Sequence, residues 1–176
     1  NVIEGNLALM IRSPAAGKAL KVHETPIFQA GASGFWLTNP DNTVRANLAG
    51  DAQGNGFWLS FARKPSGPSA NVALLPDRLP LGVFDDNIAH SNGQPGINLD
   101  WVVQDEAGSV APSRYMPTVD GSESRSDNTL RVAMRRNTVS LPDWAGRCRC
   151  GISRWPPGCV HRSKKSGARS NGSSDE

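Results

Sequence analysis

The sequence predicts an all-β fold, a parallel β-helix with two loop insertions, because two short words recur along it. The first word is glycine, an apolar residue, any residue and leucine, and it begins at Gly34, Gly56 and Gly96. The second word is asparagine, leucine or isoleucine, and alanine, and it begins at Asn6, Asn47 and Asn87. The shortest repeat of about 22 residues suits one coil of a β-helix, in which equivalent residues stack on those of the previous coil.

Strand alternation predicts which side chains face the interior of the coils. Apolar residues stand three positions before the repeated asparagines and should point inward: Ile3, Val44 and Phe84. The next residues alternate in charge and should point outward, since like charges would repel when stacked: Glu4, Arg45 and Asp85. The asparagines themselves should form a structural ladder at a bend, because amides bond to one another and to turn backbone.

The first word should contribute two further interior stacks, namely Phe35, Phe57 and Ile97, and Leu37, Leu59 and Leu99. Two proline-rich stretches, residues 13–31 and 62–80, interrupt the regular spacing and should leave the coils as loops. We therefore predict β-helix coils over residues 1–106. Residues 107–140 should be irregular, with a possible last coil, and residues 141–176 have the composition of a disordered tail.

Charge and hydropathy restrict the classes of function. The net charge is +3, but residues 1–140 carry 12 Lys and Arg against 13 Asp and Glu. A nearly neutral body gives no electrostatic case for nucleic-acid binding. No stretch approaches the roughly 20 apolar residues of a membrane span. The chain begins with Asn1 and lacks a signal segment, so we expect a fragment or a processed product.

The tail holds the three cysteines, Cys148, Cys150 and Cys159, with His161 close by. Their spacings are tighter than those usual for zinc, so we predict no metal and no cofactor. A disulfide with one cysteine left over is the alternative in an oxidising compartment. A second alternative is that the tail is encoded in a shifted reading frame, since the repeated words stop before it.

Trp36 and Trp58 occupy equivalent positions and alternate with inward side chains, so both should point outward. Two stacked, exposed indoles would form a platform for sugar rings. The alternative is that a projecting loop covers them.

Acidic residues near the third asparagine are the other candidates. Asp85, Asp86 and His90 could perform acid–base chemistry, and Asp85 and His90 could contact carbohydrate. Adjacent strand residues point to opposite faces, however, so the two carboxylates should not converge, and a turn is the simpler interpretation. Asp41 in Asn-Pro-Asp-Asn is expected in a turn rather than in a calcium site.

Several consecutive words, "NVIEGNLAL", "GFWLTNPDNTVRANLAG", "GFWLSF" and "PLGVFDDNIAHSN", resemble the β-helix region of G8-domain proteins. That group includes cell-migration-inducing hyaluronan-binding proteins, cell-surface hyaluronidases, fibrocystin-like proteins and bacterial relatives. The resemblance covers about residues 1–105. It implies a right-handed, single-stranded β-helix of the pectin-lyase type, at the cell surface or secreted. The acidic catalytic residues of the group would lie upstream, so none is assigned in this chain.

The resulting functional hypothesis is a scaffold piece of an extracellular protein that binds or processes a hyaluronan-type polysaccharide. If the parent is an enzyme, it should be a hydrolase or lyase whose catalytic residues lie outside this piece. Its partners would be a polysaccharide and the rest of the parent chain. The alternative is a non-catalytic adhesion solenoid that binds proteins, since fold alone does not determine function.

Overall fold

The computed structural model describes residues 1–15, 17–99, 101–123 and 128–140. It contains twelve short strands and two 3-10 helices, Val22–Glu24 and Gly67–Ser69. The strands are β1 (Val2–Glu4), β2 (Leu7–Leu9), β3 (Phe35–Leu37), β4 (Thr43–Arg45), β5 (Leu48–Gly50), β6 (Phe57–Leu59), β7 (Val83–Asp85), β8 (Ile88–His90), β9 (Ile97–Asn98), β10 (Trp101–Val103), β11 (Val110–Pro112) and β12 (Thr138–Ser140). Within these ranges no helix has the length and apolarity needed to cross a membrane.

The first nine strands form three parallel sheets, ordered β1-β4-β7, β2-β5-β8 and β3-β6-β9. Strands that follow one another along the chain lie in different sheets, and each pairs with the strand three further on. Three successive strands therefore make one coil, and the coils stack in register. The prediction of an all-β fold with stacked parallel strands is confirmed.

The predicted interior columns are aligned in the observed register. Ile3 pairs with Val44 and Val44 with Phe84, while Phe57 lies between Phe35 and Ile97. The rings of Phe35 and Phe57 stack with centroids 4.8 Å apart, and Phe84 meets Phe57 edge-on at 5.4 Å. Burying each such side chain contributes about 1.5–3 kcal/mol, so these columns provide the main driving force for stacking.

The asparagine ladder is present and has one more rung than the sequence predicted. Each side-chain Nδ2 donates to the Oδ1 of the next rung, at 2.9 Å from Asn6 to Asn47, 3.0 Å from Asn47 to Asn87 and 3.1 Å from Asn87 to Asn137. In each of the first three rungs, the backbone N–H donates to the same Oδ1 atom as the side-chain Nδ2 of that residue. The Nδ2 of Asn47 also donates to the carbonyl of Ile3 at 2.9 Å. The buried amides thus have their bonds satisfied within the ladder.

The bend before each rung has one backbone conformation. The four preceding residues, which differ in type, all have positive φ: 66° at Gly5, 54° at Ala46, 56° at Asp86 and 51° at Arg136. This left-handed conformation turns the chain sharply between two strands of a coil. Glycine adopts it freely, whereas other residues pay a steric penalty.

The fourth rung, Asn137, directly precedes β12, which pairs in parallel with β8. The sequence signal for this rung was weak. The chain reads Asn-Thr-Val at this position, whereas the repeated word is Asn-Leu-Ala or Asn-Ile-Ala. The outward charged residues that begin with Glu4 also continue from coil to coil. Arg45 Nε lies 2.9 Å from Glu4 Oε1, and Asp85 Oδ1 accepts a bond from the Arg135 backbone N–H at 3.1 Å. The predicted alternation of charge is confirmed and extends to Arg135.

The segments outside the coils pack against them. The two proline-rich stretches leave the coils as predicted, and β10 and β11 form an antiparallel hairpin. Tyr115 packs against the core and donates its hydroxyl to the Leu79 carbonyl at 2.7 Å, and burial raises the pKa of this phenol. Residues 107–123 and 128–140 therefore contribute a hairpin strand, core contacts and β12.

We expect Asn47→Ala to lower the free energy of unfolding by about 2–4 kcal/mol, because it leaves buried partners on both neighbouring coils without bonds. Asn6→Ala, at the exposed first rung, should cost about 1 kcal/mol or less. Urea unfolding of the two variants measures the difference. Equal losses would contradict the assigned role of the ladder.

Ala46→Gly should raise stability by up to about 1 kcal/mol, because relief of left-handed strain exceeds the entropy cost of glycine. The matched control is Ala111→Gly, within β11, where glycine should be destabilising. Thermal unfolding under one set of conditions compares them. A loss of stability in Ala46→Gly would show that the bend is not strained.

Candidate functional site

The two tryptophans of the repeat lie side by side on the outward face of their sheet. Trp36 in β3 pairs with Trp58 in β6, and their rings are nearly parallel, with centroids 5.7 Å apart. Trp36 is 45% exposed, but Trp58 is 1% exposed. Both indoles occupy the outward position that the sequence predicts; Trp36 stays exposed, whereas for Trp58 the alternative of a covering loop holds.

His23 of the first insertion forms part of this cover. Its ring centroid lies 4.7 Å from that of Trp36 and 6.1 Å from that of Trp58. On the other side, the indole N–H of Trp58 donates to the Trp101 carbonyl at 2.7 Å. The buried indole thus has a hydrogen-bond acceptor for its one polar atom, as buried tryptophan requires.

Two more rings extend the surface. Phe28 is 59% exposed and meets Trp101 edge-on, with centroids 5.3 Å apart. We call His23, Phe28, Trp36, Trp58 and Trp101 the aromatic face. Neither His23 nor Phe28 is marked by the repeated words, because both lie in an insertion where no repeat defines a position. They are the only aromatic or imidazole side chains in that insertion, so no local pattern of the sequence indicates them.

Three loops that are distant in sequence meet beside the aromatic face. The backbone N–H of Val22 donates to the Ala107 carbonyl at 2.9 Å, and Lys21 Nζ donates to the Glu106 carbonyl. The Glu106 carboxylate accepts a bond from the Gly67 backbone N–H at 2.6 Å. We call this group of contacts the loop junction. It ties both insertions to the tip of the β10–β11 hairpin.

Burial lowers the pKa of His23, and the nearby Lys21 lowers it further, while Glu24 acts in the opposite direction. The lowered pKa favours the uncharged form of the imidazole, which lies against both indoles. An uncharged ring can pack against aromatic faces without the desolvation cost of a buried cation.

Asp85 and Asp86 lie beside the same arginine, whereas His90 has a different neighbour. Asp85 accepts the Arg135 backbone N–H, whereas Asp86 forms a bidentate pair with Arg136, at 2.6 and 2.7 Å, which lowers the pKa of Asp86. His90 lies over Gly50, with Nδ1 3.3 Å from Ser91 Oγ. Arg136 Nη2 also lies 4.0 Å from Asp85 Oδ2, so one guanidinium neutralises both carboxylates, as in an ion-paired turn rather than a paired acid and base.

The remaining candidates are structural or lie outside the described residues. The backbone N–H of Asp41 donates to Asn39 Oδ1 at 2.9 Å, which is the turn predicted for this stretch. Cys148, Cys150, Cys159 and His161 lie outside the described residues. In the part of the chain that is described, no group of three or more His, Cys, Asp and Glu could hold a metal ion.

Comparison with known proteins identifies relatives of this chain. The CEMIP beta-helix family model matches residues 1–97, more than half of the sequence. Fibrocystin-L of Mus musculus is 31% identical over 126 residues, which cover 69% of this chain and 3% of that relative. These matches confirm the resemblance drawn from the repeated words.

Two human relatives have names that refer to hyaluronan. Cell surface hyaluronidase CEMIP2 is 36% identical over 92 residues, covering 51% of this chain and 7% of the relative. Cell migration-inducing and hyaluronan-binding protein is 34% identical over 99 residues, which cover 50% of this chain and 7% of that relative. The chain spans less than a tenth of the length of each of these relatives.

We expect His23 to make stability depend on pH. Its pKa is lower in the folded than in the unfolded state, so stability is complete above the unfolded value of about 6.5 and falls as the pH drops through it. Urea midpoints between about pH 7.5 and pH 5 should fall less in His23→Phe than in the wild type. His90→Asn is the control, and a parallel decline in wild type and His23→Phe would contradict this role.

Proposed function

Because the chain belongs to the CEMIP beta-helix family, we propose that it is a scaffold segment of an extracellular polysaccharide-binding protein. In this proposal the coils form a right-handed, single-stranded β-helix of the pectin-lyase type, and the aromatic face contacts a hyaluronan-type glycan. The observation that carries the proposal is a half-exposed Trp36 supported by two further rings.

The indole of Trp36 suits a sugar because aromatic faces pack against the apolar faces of pyranose rings. Trp58 at 5.7 Å and His23 at 4.7 Å pack against this indole and hold it in place. A ring that is already held in place loses little conformational freedom on binding, so more of the contact energy appears as affinity. Phe28 is also exposed and packs edge-on against Trp101, whose carbonyl accepts the Trp58 indole N–H, so it offers a further apolar surface nearby.

The segment would supply binding and support rather than cleavage. The carboxylates of Asp85 and Asp86 are engaged by Arg135 and Arg136, which removes them from paired acid–base work. Two relatives have names that state hyaluronan binding or hyaluronidase activity, and these favour a polysaccharide of that type here. Asp85 and His90 remain candidates for contacts to sugar hydroxyls, because both lie at outward strand positions.

A second candidate function is a non-catalytic solenoid that binds a protein. Its support is a set of exposed aliphatic side chains on two other sheets: Val2 at 70%, Leu7 at 64%, Val83 at 40% and Ile88 at 41%. Apolar side chains grouped on a sheet face are a common feature of protein interaction sites. Both of these sheets are separate from the sheet of Trp36, so the two functions can be tested independently.

Trp36→Ala should weaken binding to hyaluronan oligosaccharides at least about tenfold, since stacking with a ring contributes on the order of 1 kcal/mol or more. Because Trp36 is half exposed, the fold should survive. Titration calorimetry measures the affinity, and chondroitin and cellulose oligosaccharides test the class of glycan.

Ile88→Ala is the matched control, because it removes an exposed apolar side chain from a different sheet. Equal affinity of wild type and Trp36→Ala would remove the aromatic face from the proposal. Loss of protein partners in Ile88→Ala, with no glycan bound by the wild type, would favour the interaction solenoid.

A further inference from the structure

Trp58 occupies the position of a second sugar-stacking ring but is covered. It lies one coil above Trp36 in the same outward column. Its cover consists of His23 from the first insertion and the β10–β11 hairpin, whose Trp101 carbonyl accepts the indole N–H. The number of rings open to solvent in this column thus depends on how these two segments are held.

The tip of the hairpin is internally braced. The carboxylate of Asp105 accepts the Ser109 backbone N–H at 3.0 Å, and the Gly108 N–H donates to the Asp105 carbonyl at 3.1 Å. The Gln104 N–H donates to the Ser109 carbonyl at 2.8 Å. The tip therefore meets the first insertion as a preformed turn.

Gly108 allows the hairpin tip to pack closely against the first insertion, and a side chain at this position would prevent that packing. Its φ is +86°, which other residues rarely adopt. A Cβ at this position would lie 2.5 Å from His23 Nδ1, 2.9 Å from Lys21 Cβ and 3.0 Å from the Val22 backbone nitrogen. Since one of these atoms is backbone, any side chain here forces the two segments apart.

We propose that Gly108, together with the Glu106 contacts at the loop junction, determines glycan specificity by setting how many indoles the column offers. With the tip docked, Trp36 is the one indole of this stacked pair that a sugar chain meets. With the tip displaced, the Trp58 indole, whose centroid lies 5.7 Å from that of Trp36, is also open to a sugar chain. A longer chain then has a second aromatic surface to contact. This inference rests on the proposed function of Trp36.

Gly108→Ala tests the proposal, with Gly17→Ala as the matched control. Gly17 also has positive φ, +72°, but a Cβ there meets nothing within 4 Å, so only the backbone strain is shared. The first readout is hydrogen exchange of the Trp58 indole N–H, followed by NMR and assigned with Trp58→Phe. We expect exchange to accelerate at least about tenfold in Gly108→Ala through local opening, and not in Gly17→Ala.

Glu106→Ala is a second variant, which removes the bond to the Gly67 N–H without adding a side chain. It should accelerate the same indole exchange, by a smaller factor than Gly108→Ala. This variant keeps the test valid if Gly108→Ala folds poorly. An indole that stays protected in both variants would overturn the role of the tip.

The second readout is the ratio of affinities for a hyaluronan tetrasaccharide and disaccharide. We expect the ratio to rise about tenfold in Gly108→Ala, because one more ring is available, and to return to the wild-type value when Trp58→Ala is added. An unchanged ratio with an open indole would overturn the assignment of specificity. Absence of glycan binding by the wild type, with the indole opening as expected, would overturn the proposed function of Trp36 and this specificity with it.

Discussion

The structure depends on successive coils stacking in one register, and the buried asparagine amides enforce that register. An amide can donate to the rung on one side and accept from the rung on the other only when both rungs lie at one bend. A shift by one residue would bury amides without partners and turn interior side chains outward. One polar ladder therefore fixes the register of three sheets whose individual strands have at most three residues.

The geometry of the aromatic face follows from this alignment. Because Phe35 stacks on Phe57 inside the coil, Trp36 must stack on Trp58 outside it. The scaffold thus sets the spacing and direction of the two indoles, while the loops set their exposure. This division is typical of solenoids, in which a rigid repeat positions side chains and the insertions adapt the surface.

The repeated part of the chain could be predicted from sequence because repetition supplies its own comparison. Three copies of a word identify the interior columns, the ladder and the charge alternation without any knowledge of contacts. The cover of Trp58 could not be predicted in this way, since His23, Glu106 and Gly108 each occur once and act only through long-range packing. Asn137 lies between these cases, because its surroundings keep the apolar Met134 and the charged Arg135 but lose the neighbouring leucine and alanine.

The alternating charges on the outer corner have a consequence for how such a chain can change in length. Glu4, Arg45, Asp85 and Arg135 follow one another from coil to coil with opposite signs. Duplication or loss of a single coil would place like charges on adjacent strands, where they repel. Gain or loss of two coils together would preserve the alternation. In this corner of the fold, the unit that can be added or removed without electrostatic conflict is a pair of coils.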